Sequence, residues 1–115
     1  MLFNNTTDKL VIHRTKLAVS FKEKLIGLMF EKPINFNYAL VFIFNESAVF
    51  SNSIHSFFVF FPFLAVYLNE KRRVVDIKII NPNQTFQPKE KSKYLIEMPV
   101  EFKDKIHLGD SVEWI

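Results

Sequence analysis

The feature that most constrains this chain is a long run of apolar residues that, as a strand, has no polar face. The run covers residues 57–68, which are twelve residues with Pro62 among them. A membrane-spanning helix needs about 20 consecutive apolar residues, so the run predicts a core element. Successive side chains of a strand point to opposite faces, and both faces of this strand are apolar. Each face must therefore be covered by the protein itself, by a partner chain or by a bound apolar ligand.

The rest of the chain alternates short apolar segments with polar turns, which is typical of a mainly β protein. The main predicted strands are residues 9–14, 40–44, 53–61, 63–68, 74–80, 93–98 and 111–115. Ser20 and Glu23 have the spacing of a capping box, and an amphipathic stripe follows them with Gly27 inside it. We expect an antiparallel barrel- or sandwich-like fold with one short α-helix near residues 20–30, in a single domain over residues 1–115.

Composition excludes several kinds of site. The chain has no Cys, so disulfides, thiolate nucleophiles and Cys-ligated zinc are absent. None of its three His residues has metal-ligand spacing to another, and we predict no metal and no cofactor. The net charge of +3 is below that of a dedicated nucleic-acid binder. We interpret the basic residues 71–73 and the alternating lysines of 89–93 as solvated loops, which makes nucleic acid an improbable partner.

Location is predicted from the apolar pattern. Residues 1–8 have neither the basic region nor the apolar region of a signal peptide, and no segment is long enough to span a membrane. These two observations favour the cytoplasm.

Several short motifs resemble one family when they are taken in order. They are Gly27-Leu28-Met29, residues 39–44, residues 55–68, residues 74–77, residues 94–99 and residues 106–112. Their order and spacing are similar to those of the DUF192 family, also called UPF0127, over residues 10–112. The resemblance implies a small, mainly β domain with one short helix. It implies no reaction, because that family has no established activity.

The chain departs from the family in the central motif, which usually runs Trp-Met-x-Asn-Thr-x-x-Pro-Leu-Asp. We align Pro62 with the proline of the motif. The Trp, Met, Asn, Thr and Asp positions are then occupied by His55, Ser56, Phe58, Val59 and Leu64. The resemblance therefore implies that chemistry resting on the Asn and Asp is absent here. Glu97 and Gly109-Asp110 match the C-terminal pattern of the family.

These observations predict a non-catalytic binding domain with an apolar pocket or groove for a hydrophobic small ligand or peptide. In an unbulged strand Phe58, Phe60 and Leu64 lie on one face, where we expect the pocket. The predicted ligand-binding residues are His55, Ser56, Phe58, Phe60, Leu64 and Glu97. No catalytic and no metal-binding residue is predicted.

Other interpretations of the same residues stay open. The second apolar face is ordinary core if the helix near residues 20–30 covers it, or it is the interface of a homodimer or a protein partner. The chain is then a monomer or a homodimer that acts as an interaction or structural module. A small hydrolase using His55, Ser56 and Glu97 is a weaker hypothesis, because no spacing indicates a nucleophile and its base. Glu97 also fits a solvent-facing or salt-bridged structural residue, and Asp110 fits a turn residue.

Overall fold

The computed structural model describes residues 1–20, 23, 27–48, 54–56 and 59–115. In these residues the chain forms ten strands and two short 3-10 helices. The strands are β1 (Leu2–Asn4), β2 (Lys9–Ile12), β3 (Thr15–Ala18), β4 (Ala39–Ala48), β5 (Ile54–His55), β6 (Phe63–Leu68), β7 (Val74–Ile80), β8 (Thr85–Phe86), β9 (Ser92–Met98) and β10 (Val112–Trp114). The 3-10 helices are Pro33–Asn35 and Val100–Lys105. The predicted mainly β fold is confirmed. No helix in these ranges is long and apolar enough to cross a membrane.

The strands form three sheets, and the largest is an open sheet of five strands. Its order is β3-β4-β9-β6-β7, so β3 and β7 lie at its edges and the sheet does not close into a barrel. A three-stranded sheet has the order β10-β1-β2, and β5 pairs with β8. The architecture is therefore sandwich-like. The pairs are antiparallel as expected, except that β3 runs parallel to β4. A parallel pair needs a long crossover, which residues 19–38 supply.

The central sheet is buried on both faces, as the two-sided apolar run predicts. All six residues of β6 are buried. Leu64, Val66 and Leu68 point to one face, which we call the aliphatic face; it packs against β1, β2, β10 and the 3-10 helix at Val100–Lys105. Phe63 and Tyr67 point to the other face. This aromatic face is covered by a cluster that comprises Leu28, Phe36, Tyr38, Val59, Phe61 and Phe86.

The predicted strand over residues 53–61 is shorter in the structure. Strand β5 contains only Ile54–His55, and pairing in the central sheet resumes at Phe63, directly after Pro62. Proline cannot donate a ladder hydrogen bond, so it separates the two strands. The expectation that Phe60 and Leu64 share a strand face is therefore wrong. Phe60 is exposed outside any strand, whereas Leu64 is buried on the aliphatic face.

The two hydrogen bonds of the predicted capping box are present. The Ser20 backbone N–H donates to Glu23 Oε1, and the Glu23 N–H donates to Ser20 Oγ, both at 3.1 Å. The Gly27 N–H then donates to the Glu23 carbonyl at 2.9 Å, a helical hydrogen bond. The apolar positions Phe21 and Leu25 of the predicted stripe lie outside the described residues.

Gly27 does not lie inside the helix, as the sequence pattern suggested, because its φ of +49° is left-handed. A Cβ atom at this position would lie 3.2 Å from the Phe42 ring. The close neighbour of Gly27 is therefore the Phe42 side chain.

We expect Gly27→Ala to destabilise the protein more than Gly109→Ala. Both glycines have positive φ, which costs a non-glycine residue about 1–2 kcal/mol. A Cβ at Gly109 has no other atom within 4 Å, whereas at Gly27 it presses on Phe42. Urea denaturation should show a further loss of about 1 kcal/mol or more for Gly27→Ala. Equal losses for the two variants would contradict the close packing at Phe42.

Candidate functional site

The most unusual polar residue of the structure is Glu97, which lies in the middle of the central sheet. In β9 it pairs with Leu40 of β4 on one side and with Ala65 of β6 on the other. Its side chain lies on the aromatic face, opposite to Ile96 and Met98, as the alternation of the strand predicted. Glu97 is only 2% exposed, so the solvent-facing interpretation is wrong. Glu97 is buried and not solvent-facing because other parts of the chain cover the aromatic face.

Among the described residues no hydrogen-bond donor or cation is paired with the Glu97 carboxyl, so they give the salt-bridged interpretation no support. Burial disfavours its charged form and raises the pKa of Glu97 to about 8. Its β6 neighbour Ala65 offers only a methyl group. In the described part of the chain this acid is therefore buried without a compensating charge.

Tyr67 is a second unpartnered polar group on the same face. It lies in β6 two residues after Ala65, so it is the diagonal neighbour of Glu97 across the β6–β9 pair. Its hydroxyl is buried without a hydrogen-bond partner. Burial raises the pKa of Tyr67, and the negative charges of Glu97 and Asp76 raise it further, so the phenol stays neutral.

Tyr38 is close enough to Glu97 for the charge of Glu97 to affect its pKa, and it also contacts two cations. Its hydroxyl donates to Glu31 Oε2 at 2.5 Å, and Lys16 Nζ lies 4.0 Å from the centre of its ring. Burial and the Glu31 hydrogen bond raise the pKa of Tyr38, with a smaller contribution from the charge of Glu97. Gly27 closes another side, since its ideal Cβ position is 3.8 Å from Glu97 Oε1. We call Glu97, Tyr67, Tyr38 and Gly27 the Glu97 site.

The other two buried carboxyls in the described ranges are compensated. Asp76 accepts a hydrogen bond from the Lys89 N–H at 3.1 Å, and Lys78 Nζ lies 3.5 Å from it. Asp110 Oδ2 accepts from Asn4 Nδ2 at 2.7 Å and from the His107 N–H at 2.8 Å. Both carboxyls hold the fold together, and Asp110 does more than the turn role predicted from sequence.

The predicted ligand-binding residues are not brought together as a group. Ser56 is buried, and its Oγ donates to the Asn81 carbonyl at 2.7 Å and accepts from the Gln84 N–H at 2.6 Å, which fixes a loop. Leu64 lies on the aliphatic face, away from Glu97, and Phe60 lies on the surface. The side chain of His55 and all of Phe58 lie outside the described residues. Sequence reasoning missed Tyr67 and Tyr38.

Other surfaces of the described part of the chain give less evidence of a functional site. An open groove of about 820 Å³ is lined by Lys78, Ile79, Ile80, Gln84, Thr85, Phe86 and Gln87, none of which was a predicted site residue. In the basic segment 71–73, Arg72 stacks over the Trp114 ring at 4.0 Å and Arg73 donates to the Gly109 carbonyl. In the described residues no three His, Asp or Glu side chains are grouped to hold a metal ion.

Comparison with known proteins gives a family match and a shared fold. The DUF192 family model, described as an uncharacterized ACR, matches residues 3–114. A UPF0127 protein of Thermococcus sibiricus is 38% identical over 99% of this chain and 74% of its own length. A UPF0127 protein of Pyrococcus horikoshii is 34% identical over 99% of this chain and 98% of its own.

A crystal structure of a protein of unknown function from Novosphingobium aromaticivorans superimposes with a TM-score of 0.75 at 20% identity. The match covers 87% of this chain and 74% of the other chain. At this identity the likeness shows a common fold.

We expect the stability of the protein to fall as pH rises from about 4.5 to about 8. These are the ordinary and the folded-state pKa values of Glu97. Between them the folded protein keeps a proton that the unfolded chain has lost, so the free energy of unfolding falls by up to about 1.4 kcal/mol per pH unit. Below and above this window the contribution of Glu97 is constant. Urea denaturation in a pH series measures the slope.

Two variants identify the group responsible for that slope. Glu97→Gln should remove the slope across the window, because the amide does not titrate. Asp76→Asn is the matched control, since Asp76 is also buried but has its own lysines, and this variant should keep the slope. An unchanged slope in Glu97→Gln would contradict the assignment to Glu97.

Proposed function

Because this chain belongs to the DUF192 family, also called UPF0127, whose description names no activity, we propose a function from the site that its own fold leaves unsatisfied. We propose that residues 1–115 form a non-catalytic binding domain that holds a small hydrophobic molecule at the Glu97 site. The single observation that supports this is the juxtaposition, on one face, of a buried Tyr67 hydroxyl that has no hydrogen-bond partner and the buried Glu97 carboxyl, whose pKa is raised by burial.

The energetic cost of these two groups supports a binding role. A buried polar group without a partner costs about 1–3 kcal/mol, and a charged group costs more. Such exceptions to an otherwise satisfied fold are most often found at functional sites. A ligand that supplies the missing partner recovers this cost, and that gain contributes directly to its affinity.

The surroundings of the site favour a largely apolar ligand. The aromatic face includes Phe36, Phe42, Phe61, Phe63 and Phe86 besides the two tyrosines. Small-molecule sites are mostly lined by apolar and aromatic side chains, with few polar groups that fix the orientation of the ligand. Glu97 and Tyr67 are polar groups of that kind.

The hydrolase hypothesis gains less support from the described residues. Its proposed nucleophile, Ser56 Oγ, already makes hydrogen bonds to Asn81 and Gln84 that hold a loop. Of its other members, the side chain of His55 lies outside the described residues, and Glu97 has two tyrosine neighbours whose raised pKa values keep them protonated, so that they do not act as bases. Binding without catalysis, in the cytoplasm, is therefore the function that we propose.

One surface feature favours the alternative of a protein interaction module. Phe30 and Phe60 are each 64% exposed, and their ring centres lie 6.3 Å apart. Phe30 also has a left-handed φ of 60°, which costs a bulky residue free energy. Sedimentation of the wild type and of Phe60→Ser should show a dimer that the substitution weakens if this pair is a homodimer interface. A monomer at high concentration in both would contradict the homodimer.

The binding proposal is tested with 1-butanol, a small apolar probe that carries one hydroxyl. In a ¹H–¹⁵N NMR titration we expect saturable shifts of the amides around Ala65 and Glu97. Ala65→Val adds two methyl groups at the position paired with Glu97 and should weaken binding several-fold. Phe60→Ala is the control and should leave binding unchanged, because Phe60 is on the surface.

Shifts confined to the neighbourhood of Phe60, or no saturable shift at all, would contradict the proposed site. Circular dichroism shows whether each variant is folded. Should Ala65→Val fail to fold, Glu97→Gln replaces it, because the amide keeps the shape of the side chain while altering its hydrogen bonding to the probe.

A further inference from the structure

The three buried carboxyls of the described residues differ in one respect. Asp76 lies near two lysines, with Lys78 Nζ at 3.5 Å and Lys89 Nζ at 3.9 Å. Asp110 accepts hydrogen bonds from Asn4 and from the His107 backbone. Glu97 is buried as deeply but has no donor and no cation from the described part of the chain. What this carboxyl lacks is a positively charged hydrogen-bond donor.

We propose that the molecule bound at the Glu97 site is a small organic cation, an amine whose ammonium group pairs with Glu97 while its apolar part packs on the aromatic face. This inference rests on the proposed binding function and names the chemical class of the ligand. The juxtaposition of an uncompensated carboxyl, an unpartnered hydroxyl and aromatic rings supports it.

The groups that face Glu97 leave its charge for a ligand to balance. Tyr67 from β6 and Tyr38 from the segment before β4 are both neutral phenols. Glu31 adds a second negative charge beyond Tyr38. Two described cations, Lys16 and Arg14, lie over the Tyr38 ring, at 4.0 Å and 5.9 Å from its centre.

An ammonium group matches each feature of the site. It has three N–H donors, of which Glu97 and the Tyr67 oxygen can each accept one. The negative faces of aromatic rings attract cations, and this attraction is strongest where water is excluded. An anionic ligand would be repelled by Glu97 and Asp76. A neutral ligand can hydrogen-bond to the neutral carboxyl, whereas only a cation supplies the counter-charge that stabilises its ionised form.

Binding of a cation requires the ionised form of Glu97. The free protein holds this carboxyl protonated at neutral pH, since its pKa is about 8. An arriving ammonium therefore displaces a proton, which leaves to solvent, and no covalent bond is made. Affinity for the cation should rise with pH up to about 8 and level off above it.

The experiment compares n-butylamine with 1-butanol, which has almost the same size but no charge. An alkylamine stays protonated below about pH 10, so a pH series from about 6.5 to 8.5 titrates the protein and not the probe. We expect n-butylammonium to bind at least about tenfold more tightly than 1-butanol at the higher pH, a preference of about 1.4 kcal/mol. At the lower pH most of that preference should be lost.

Two variants test whether the Glu97 carboxylate is the charge that binds the ammonium group. Glu97→Gln should abolish the preference for the cation at every pH, so that n-butylammonium binds no more tightly than 1-butanol does to the same variant. Asp76→Asn removes a buried carboxyl that already has lysine partners and should keep the preference. A preference retained in Glu97→Gln would overturn the inference, because the ammonium group would then lie elsewhere.

The failure of the inference differs from the failure of the proposed function. If the wild type binds 1-butanol and n-butylammonium equally at both pH values, the proposal of a cationic ligand is wrong, whereas the proposal of an apolar binding site is supported. If neither probe shifts the amides around Ala65 and Glu97, both proposals are wrong.

Discussion

The structure depends on covering both apolar faces of the central sheet. Strand β6 is buried along its whole length and is hydrogen-bonded to β7 on one side and β9 on the other. Neither face of such a strand can be left in water, so the rest of the chain is divided between them. The aliphatic face receives both ends of the chain, and the aromatic face receives the crossover and the segment before β6.

The covering of the aliphatic face is fixed by contacts between the two ends of the chain. Strand β1 pairs with β10, and Asn4 donates to Asp110 across them. Asn4 also donates to the Lys105 carbonyl and accepts from Thr6 and Thr7. Every polar group of this cluster has partners. The Asn4–Asp110 cluster shows how this fold compensates a buried carboxyl. The Glu97 carboxyl has no such hydrogen bonds from the described residues.

Much of the fold could be predicted from local patterns. The two-sided run over residues 57–68 indicated a doubly covered strand, and the spacing of Ser20 and Glu23 indicated the reciprocal hydrogen bonds that the structure shows. The strand over 74–80 was located at its observed bounds. These features depend on neighbouring residues, whose patterns a sequence displays directly.

The site could be predicted only in part, because it depends on long-range pairing. Alternation along β9 placed Glu97 opposite Ile96 and Met98, but its burial depends on β4, β6 and the crossover lying around it. Tyr67 becomes its neighbour only through the register of β6 against β9, which local pattern does not reveal. Pro62 ended the extended stretch and thereby removed Phe60 from the strand, so the expected pocket-lining row does not form.

An acid that is neutral when the site is empty and charged when a cation arrives makes folding and binding compatible. In the proposed mechanism the protein folds without the cost of a buried charge near neutrality, and a cationic ligand would bring the charge that stabilises the ionised form. In this account the desolvation that raises the pKa of Glu97 is the same property that selects the ligand.

The most direct test is the pKa of Glu97 in the ligand-free protein, measured by ¹³C NMR of its side-chain carboxyl during a pH titration. The account predicts a midpoint near pH 8. A midpoint near the ordinary glutamate value of about 4.3 would show that the carboxyl is solvated or paired, and would contradict it.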